Sequence, residues 1–188
     1  MTAKNLLKQA DSISDLNKRL EFFSKKLLKL PYKVHPLNGE LAKKEILNTS
    51  IDYFDCTTYV EMVLALSLAN NFLNFVKVLK SIRYKKSKVT WKTRQHYMHD
   101  WTNSSYFFKP IKHKLSNLSK TLNIVPGIPS KKVKVSFLKL ADFKKYKTQF
   151  KDFDIVFFVS ERKNLDVFHM GFIKHKKNKL YQGIQLKA

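Results

Sequence analysis

The only cysteine of this 188-residue chain, Cys56, stands where a polar segment gives way to a strongly apolar run. If that run is a helix, its first turn offers unpaired backbone N–H groups and the positive end of the helix dipole, which favour a thiolate. The same N–H groups can stabilise an oxyanion during acyl transfer. Cys56 is therefore a candidate nucleophile, although a solitary cysteine is more often an inert residue of the core.

A cysteine nucleophile needs a base, and His169 in the apolar segment DVFHMGFI is the best candidate. Asp55 directly precedes the thiol, and its negative charge opposes thiolate formation, so the chemistry requires an imidazole partner. Gln182 is a candidate third residue, because its amide oxygen could accept the other ring N–H of His169. The alternatives are a histidine packed in the core and an ordinary surface glutamine.

Apolar periodicity predicts the helices that must position Cys56. Apolar residues recur at intervals of three and four from Leu16 to Leu30, with Ser12 or Ser14 as the expected N-cap. The run after Cys56 is apolar on nearly all sides, which is typical of a buried central helix, and Asp55 is its expected N-cap. The predicted helices span residues 16–30, 56–69, 73–82 and 111–122, with shorter helical segments near residues 41–47 and 142–146.

The C-terminal part of the chain predicts an antiparallel sheet that contains the other two candidate residues. Alternation along the strand of His169 places its side chain on the face opposite Phe168 and Met170. The last two strands are expected to form a hairpin through the segment KHKKNK, with Gln182 roughly opposite His169. The predicted strands span residues 133–138, 154–159, 166–173 and 179–186. Helices followed by an antiparallel sheet predict an α+β domain.

The net charge of +23, from 37 basic and 14 acidic residues, makes polyanions natural partners. Most of the basic residues are lysines, which more often form a solubilising surface, whereas specific nucleic-acid recognition relies on arginine. We therefore do not expect nucleic acid as a partner. Residues 45–76 contain no lysine or arginine, which indicates that this segment forms the core. One cysteine excludes an internal disulfide and a cysteine-rich zinc site.

The N-terminal sequence lacks the apolar core and small-residue cleavage site of a signal peptide. The longest uncharged apolar run, residues 62–69, is too short to cross a membrane. We therefore expect a monomeric, single-domain protein without a membrane span. It would be cytoplasmic, exported or delivered by a non-classical route, or periplasmic if this sequence is a mature form.

A second group of polar and aromatic residues lies in a segment, residues 83–101, that is predicted to be irregular or strand-like. Its two histidines, His96 and His99, lie near Asp100, but the chain offers no convincing third metal ligand, so we expect no metal and no cofactor. The group contains no recognisable nucleic-acid-binding motif. The group could instead form one wall of a substrate pocket, because the guanidinium of Arg94 could bind a substrate carboxylate through two hydrogen bonds.

Several short motifs occur in a fixed order along most of the chain. They are Pro-Tyr at 31–32, DCTTYVE at 55–61, LAL at 64–66, IRY at 82–84, RQHYMHDW at 94–101, FDIVFF at 153–158 and DVFHMG at 166–171. In this combination the chain resembles the NlpC-type, papain-like cysteine peptidase and amidase superfamily. More closely, it resembles the N-acetylmuramoyl-L-alanine amidase-like branch of that superfamily.

This resemblance implies a papain-like α+β fold over residues 1–188, with a mainly helical part (12–110) packed on a sheet part (130–188). It implies cleavage of the amide between N-acetylmuramic acid and L-alanine in peptidoglycan or its fragments. Cys56 would be the nucleophile, His169 the base and Gln182 the residue that orients the base. The substrate would contact Tyr32, Asp55, Arg94, His96 and Tyr97. The alternatives are a cysteine protease, deamidase or acyltransferase acting on protein, and a non-catalytic protein that binds polyanions.

Overall fold

The protein has an α+β fold in a computed structural model that describes residues 1–37, 39–104, 115–176 and 179–183. It divides into two compact units, of which the first contains Met1–Arg94 and the second spans Gln95–Gln182. The boundary lies inside the segment 12–110 that was expected to form one helical part. Within the described ranges, no helix combines the length and the apolar composition that crossing a membrane requires.

The first unit is helical, and each of the four α-helices in its described part begins at a side-chain N-cap. The helices are α1 (Ala3–Gln9), α2 (Leu16–Leu27), α3 (Cys56–Leu68) and α4 (Phe72–Arg83), followed by 3-10 turns at Lys85–Ser87 and Trp91–Thr93. Asp15 rather than a serine caps α2, because its carboxylate accepts a hydrogen bond from Lys18 N at 2.8 Å. The predicted serine cap is therefore wrong, and α1 was not predicted.

Helix α3 begins at Cys56 and is capped by Asp55, which confirms both predictions for this element. Its buried residues point in all directions around the helix axis: Thr58, Tyr59, Val60, Glu61, Met62, Val63, Ala65, Leu66 and Ser67. An amphipathic surface helix would bury only one stripe. The helix that begins at Cys56 is therefore a central element of the first unit.

Two buried arginines fix α3 within the first unit. The Nε of Arg83, on α4, donates to the Oε2 of Glu61 at 2.7 Å, and both side chains are almost fully buried. Burial raises the pKa of Glu61, and the positive charge of Arg83 opposes that shift. At the other end of α3, Arg19 donates to the carbonyl oxygens of Ser67 and Leu66 at 2.8 and 3.1 Å. A cation there complements the negative end of the helix dipole.

Among its described residues, the second unit contains two short α-helices and two small antiparallel sheets. Strands β1 (Ser116–Leu122) and β2 (Lys131–Phe137) form a two-stranded sheet, and β3 (Ile155–Val159), β4 (Val167–Lys176) and β5 (Lys179–Gly183) form a three-stranded sheet in that order. Helix α5 spans Met98–Ser104 and helix α6 spans Leu140–Tyr146. The adjacency of β4 and β5 agrees with the predicted hairpin.

Two helical predictions are wrong. Residues 116–122 form β1 instead of a helix, because Leu118 and Leu122 also fit a strand period and the register pairs Leu118 with Val135 of β2. Residues 41–47 contain turns but no helix, since Glu45 in this segment turns inward to contact Arg94. Residues 111–114 and 184–186 of the predicted elements lie outside the described residues.

Candidate functional site

The thiol of Cys56 lies at the N-terminus of a helix whose start is fixed by a reciprocal cap. The carboxylate of Asp55 accepts a hydrogen bond from Thr58 N at 2.8 Å, and the backbone N–H of Asp55 donates to the Thr58 hydroxyl at 3.0 Å. Cys56 itself is half-buried, with Sγ 3.9 Å from the hydroxyl oxygen of Thr57. The cap therefore holds the thiol at the positive end of a helix dipole, in contact with solvent.

Tyr32 is brought next to this thiol by a short backbone bridge. Lys33 N donates to Phe54 O at 2.9 Å, and Phe54 N donates to Pro31 O at 3.1 Å. Burial raises the pKa of the Tyr32 phenol, and the negative charges of Cys56 and Asp55 raise it further. The first unit therefore brings three of the predicted site residues together, and the phenol keeps its proton at neutral pH.

Arg94 belongs to the first unit and is bound by Glu45. Its Nε and Nη2 lie 2.9 and 2.5 Å from the two carboxylate oxygens, and its guanidinium stacks 4.8 Å from the centroid of Trp91. The hydroxyl of Tyr84 donates to the same carboxylate at 2.7 Å, and burial raises the pKa of Tyr84. Glu45 could not be predicted from the sequence, because no local pattern connects residues that are 49 positions apart. The binding of a substrate carboxylate by Arg94 stays a prediction.

Gly39 lies directly against this ion pair. A Cβ atom at Gly39 would be 1.9 Å from Nη2 of Arg94 and 2.0 Å from Oε2 of Glu45, so both side chains would have to move. We expect Gly39→Ala to lower the free energy of unfolding by about 1–3 kcal/mol through this overlap. Urea denaturation monitored by circular dichroism measures the change.

A double-mutant cycle tests whether the overlap with Arg94 is the cause. In the Arg94→Ala background the guanidinium is absent, so Gly39→Ala should cost clearly less than it does in the wild type. An equal cost in both backgrounds would contradict this account of the glycine.

His169 lies on β4 of the second unit, opposite Phe158 of β3, with the two ring centroids 5.9 Å apart. Its side chain is half-buried, and its Nε2 is buried without a hydrogen-bond partner among the described residues. Burial lowers the pKa of the imidazole below its ordinary value of 6.5. The ring is therefore neutral at neutral pH, which is the form that can accept a proton.

The other predicted residues of the second unit differ in their surroundings. Tyr97 is only 1% exposed, and its hydroxyl accepts hydrogen bonds from the backbone N–H groups of Ile124 and Val125 at 3.0 and 3.3 Å. These contacts give it a structural role, whereas the neighbouring His96 is half-buried. Gln182 lies on β5, adjacent to the strand of His169, and its side chain is outside the described part of the chain. Substrate contacts of Tyr97 and His96 stay predictions.

Comparison with known proteins gives one family and a set of similar folds. A family model described as AmiA-like, N-acetylmuramoyl-L-alanine amidase-like, matches residues 22–183. A solved protein from Legionella pneumophila has a TM-score of 0.73 at 18% identity, covering 96% of this chain and 81% of that one. An N-acetylmuramoyl-L-alanine amidase from Bacteroides uniformis has a TM-score of 0.67 at 24% identity, covering 89% of this chain and 84% of that one. No curated protein matches the sequence.

Proposed function

Because this chain belongs to the N-acetylmuramoyl-L-alanine amidase-like family, we propose that it is a cysteine-dependent amidase of peptidoglycan or its fragments. The bond cut is the amide between N-acetylmuramic acid and L-alanine. Family membership supports a peptidoglycan amidase. The cysteine mechanism is supported by one observation above all, the half-buried thiol of Cys56 at the capped N-terminus of α3, beside the phenol of Tyr32.

In the first step His169 accepts the proton of the Cys56 thiol, and the sulfur forms a bond to the carbonyl carbon of the substrate. The π electrons of the carbonyl move to its oxygen, which gives a tetrahedral oxyanion. When this intermediate collapses, the carbonyl re-forms and the C–N bond breaks. The imidazolium of His169 transfers its proton to the departing amine of L-alanine.

In the second step water replaces the amine. His169 removes a proton from the water molecule as it attacks the thioester, the C–S bond breaks, and the proton returns to the sulfur of Cys56. The products are the carboxylic acid of N-acetylmuramic acid and a peptide with a free L-alanine amine. The low pKa of His169 suits this role, because the base is neutral at the start of each step.

Tyr32 and Asp55 have different roles beside the nucleophile. The phenol of Tyr32 is protonated at neutral pH, so it can donate a hydrogen bond to the substrate carbonyl or to the developing oxyanion. Asp55 fixes the start of α3 through the cap, and its negative charge opposes a free thiolate, so proton transfer to His169 is needed. Gln182 is proposed to accept the other ring N–H of His169 and to fix its orientation.

The experiment that tests this function is digestion of purified muropeptides, with mass spectrometry to locate the cut bond. The proposal predicts a disaccharide that ends in N-acetylmuramic acid and a peptide that begins with L-alanine. Intact muropeptides together with cleavage or deamidation of a protein substrate would favour the protein-directed alternative. Intact muropeptides together with salt-dependent binding to a polyanion would favour a non-catalytic protein. Either result would overturn the proposal.

A further inference from the structure

The strand that contains His169 is interrupted by a β-bulge directly beside the histidine. The pairing of β3 with β4 is regular from the pair of Ile155 with Phe172 to the pair of Phe158 with His169. The next pair is Val159 with Val167, so one residue of β4 is skipped. Phe168 is therefore the extra residue of β4, and its side chain is 63% exposed. A bulge bends its strand, increases the local twist and changes the direction of neighbouring side chains.

The residue at the far side of this bulge, Asp166, is 2% exposed and bound by backbone groups of three segments. Its carboxylate accepts hydrogen bonds from His99 N in the first turn of α5 at 2.7 Å and from Val167 N at 2.8 Å. Its backbone carbonyl accepts a hydrogen bond from Ser160 N, which follows β3, at 2.9 Å. Asp166 therefore joins the end of β3, the beginning of β4 and the beginning of α5.

We propose that Asp166 is a positioning residue for His169, since its contacts hold the bulge at Phe168 and thereby aim the imidazole. The inference rests on the proposed function for its consequence in catalysis. Without the carboxylate, Val159 and Ser160 could pair with Phe168 and Val167 in the regular register of the rest of the strand. The bulge would then be lost, together with the twist that sets the direction of the His169 side chain.

The rest of the segment between β3 and β4 has a separate anchor, which limits the effect of changing Asp166. The buried ammonium of Lys120, on β1, donates to the carbonyl oxygens of Ser160 and Arg162, the latter at 2.7 Å. Thr121 N donates to Lys163 O at 3.0 Å. These contacts remain when the carboxylate is removed, so we expect Asp166 variants to fold.

The test compares Asp166→Ala and Asp166→Asn with a matched control, Asp154→Asn. The carboxylate of Asp154 also accepts a hydrogen bond from a backbone N–H before a strand of the same sheet, that of Lys151 at 2.8 Å, and Asp154 lies at the opposite end of β3 from the bulge. The first measurement is the pKa of His169, from an NMR titration of its imidazole. The second is the steady-state kinetics of muropeptide cleavage.

In Asp166→Ala we expect the pKa of His169 to rise toward 6.5, because the ring becomes more exposed to water. Loss of a neighbouring negative charge would lower that pKa, so the sign separates the two effects. We expect kcat to fall about 10- to 100-fold with little change in KM. Asp166→Asn keeps one acceptor oxygen, so the pKa of His169 and kcat should both change less than in Asp166→Ala. Asp154→Asn should change neither the pKa of His169 nor kcat.

An unchanged pKa of His169 in folded Asp166→Ala or Asp166→Asn would overturn the inference. An equal change in Asp154→Asn would also overturn it, because the effect would then be a general loss of order in the sheet. The titration does not depend on activity. If the wild type leaves muropeptides intact, the proposed function fails while the positioning of His169 is still decided by the titration.

Discussion

Replacing Cys56 by alanine is expected to abolish muropeptide cleavage, lowering kcat/KM by a factor of about 10⁴ or more. Without the sulfur no thioester can form, and no other cysteine exists in the sequence to take its place. Cys56→Ser should also lose nearly all activity, because a serine hydroxyl is much harder to deprotonate than a thiol. The measurement is the rate of peptide release from muropeptides, quantified by mass spectrometry.

A control on the same helix separates chemistry from folding. Ser67 lies near the opposite end of α3, and its buried hydroxyl has no hydrogen-bond partner among the described residues. Ser67→Ala removes a buried polar group without breaking a contact, so activity and melting temperature should stay close to those of the wild type. Undiminished cleavage by Cys56→Ala would contradict the mechanism.

Replacing His169 by glutamine is expected to lower kcat by a factor of about 10² to 10⁴, the usual contribution of a positioned general base. Glutamine preserves much of the size of the ring but cannot accept and return a proton. In the wild type, burial lowers the pKa of His169, so the neutral base persists to a more acidic pH. Protonation of His169 should therefore give kcat/KM an acidic limb below pH 6.5, and this limb should be lost in His169→Gln.

His175 provides the matched control, since it lies on the same strand, β4. Its Nδ1 is 2.9 Å from the carboxylate of Asp152, and its side chain is 40% exposed. We expect His175→Gln to keep the activity and the pH profile of the wild type. Equal losses in the two histidine variants would indicate damage to the strand and would contradict the assignment of His169 as the base.

The elements that were predicted correctly depend on local signals. Helix α3 and its Asp55 cap follow from a polar lead-in and a long apolar run, and both were found as predicted. The prediction failed for residues 116–122, where a spacing of four between Leu118 and Leu122 suits a helix and a strand equally. Pairing with β2, which is separated from β1 by a turn, decides between them. Local periodicity cannot contain that information.

The residues proposed for the site were named from the sequence, whereas the contacts that support them were not, and the chemistry of the site stays a prediction. Cys56 and Tyr32 were named from the sequence, and the bridge between Pro31 and Phe54 explains why they are neighbours. The contact of Glu45 with Arg94 and that of Asp166 with His99 join residues 49 and 67 positions apart. No periodic pattern relates such residues, so only the fold identifies these supports.

The most direct test of the central claim is the rate at which iodoacetamide alkylates Cys56 as a function of pH, followed by mass spectrometry of the intact protein. Because the chain has one cysteine, every added carbamidomethyl group at a thiol reports this residue. Transfer of the thiol proton to the neutral imidazole of His169 predicts alkylation at pH 7 that is much faster in the native wild type than in His169→Gln or in urea, where the thiol should titrate near its usual pKa of about 8.5. Slow alkylation with the same pH profile in the native wild type, in His169→Gln and in urea would contradict a cysteine nucleophile.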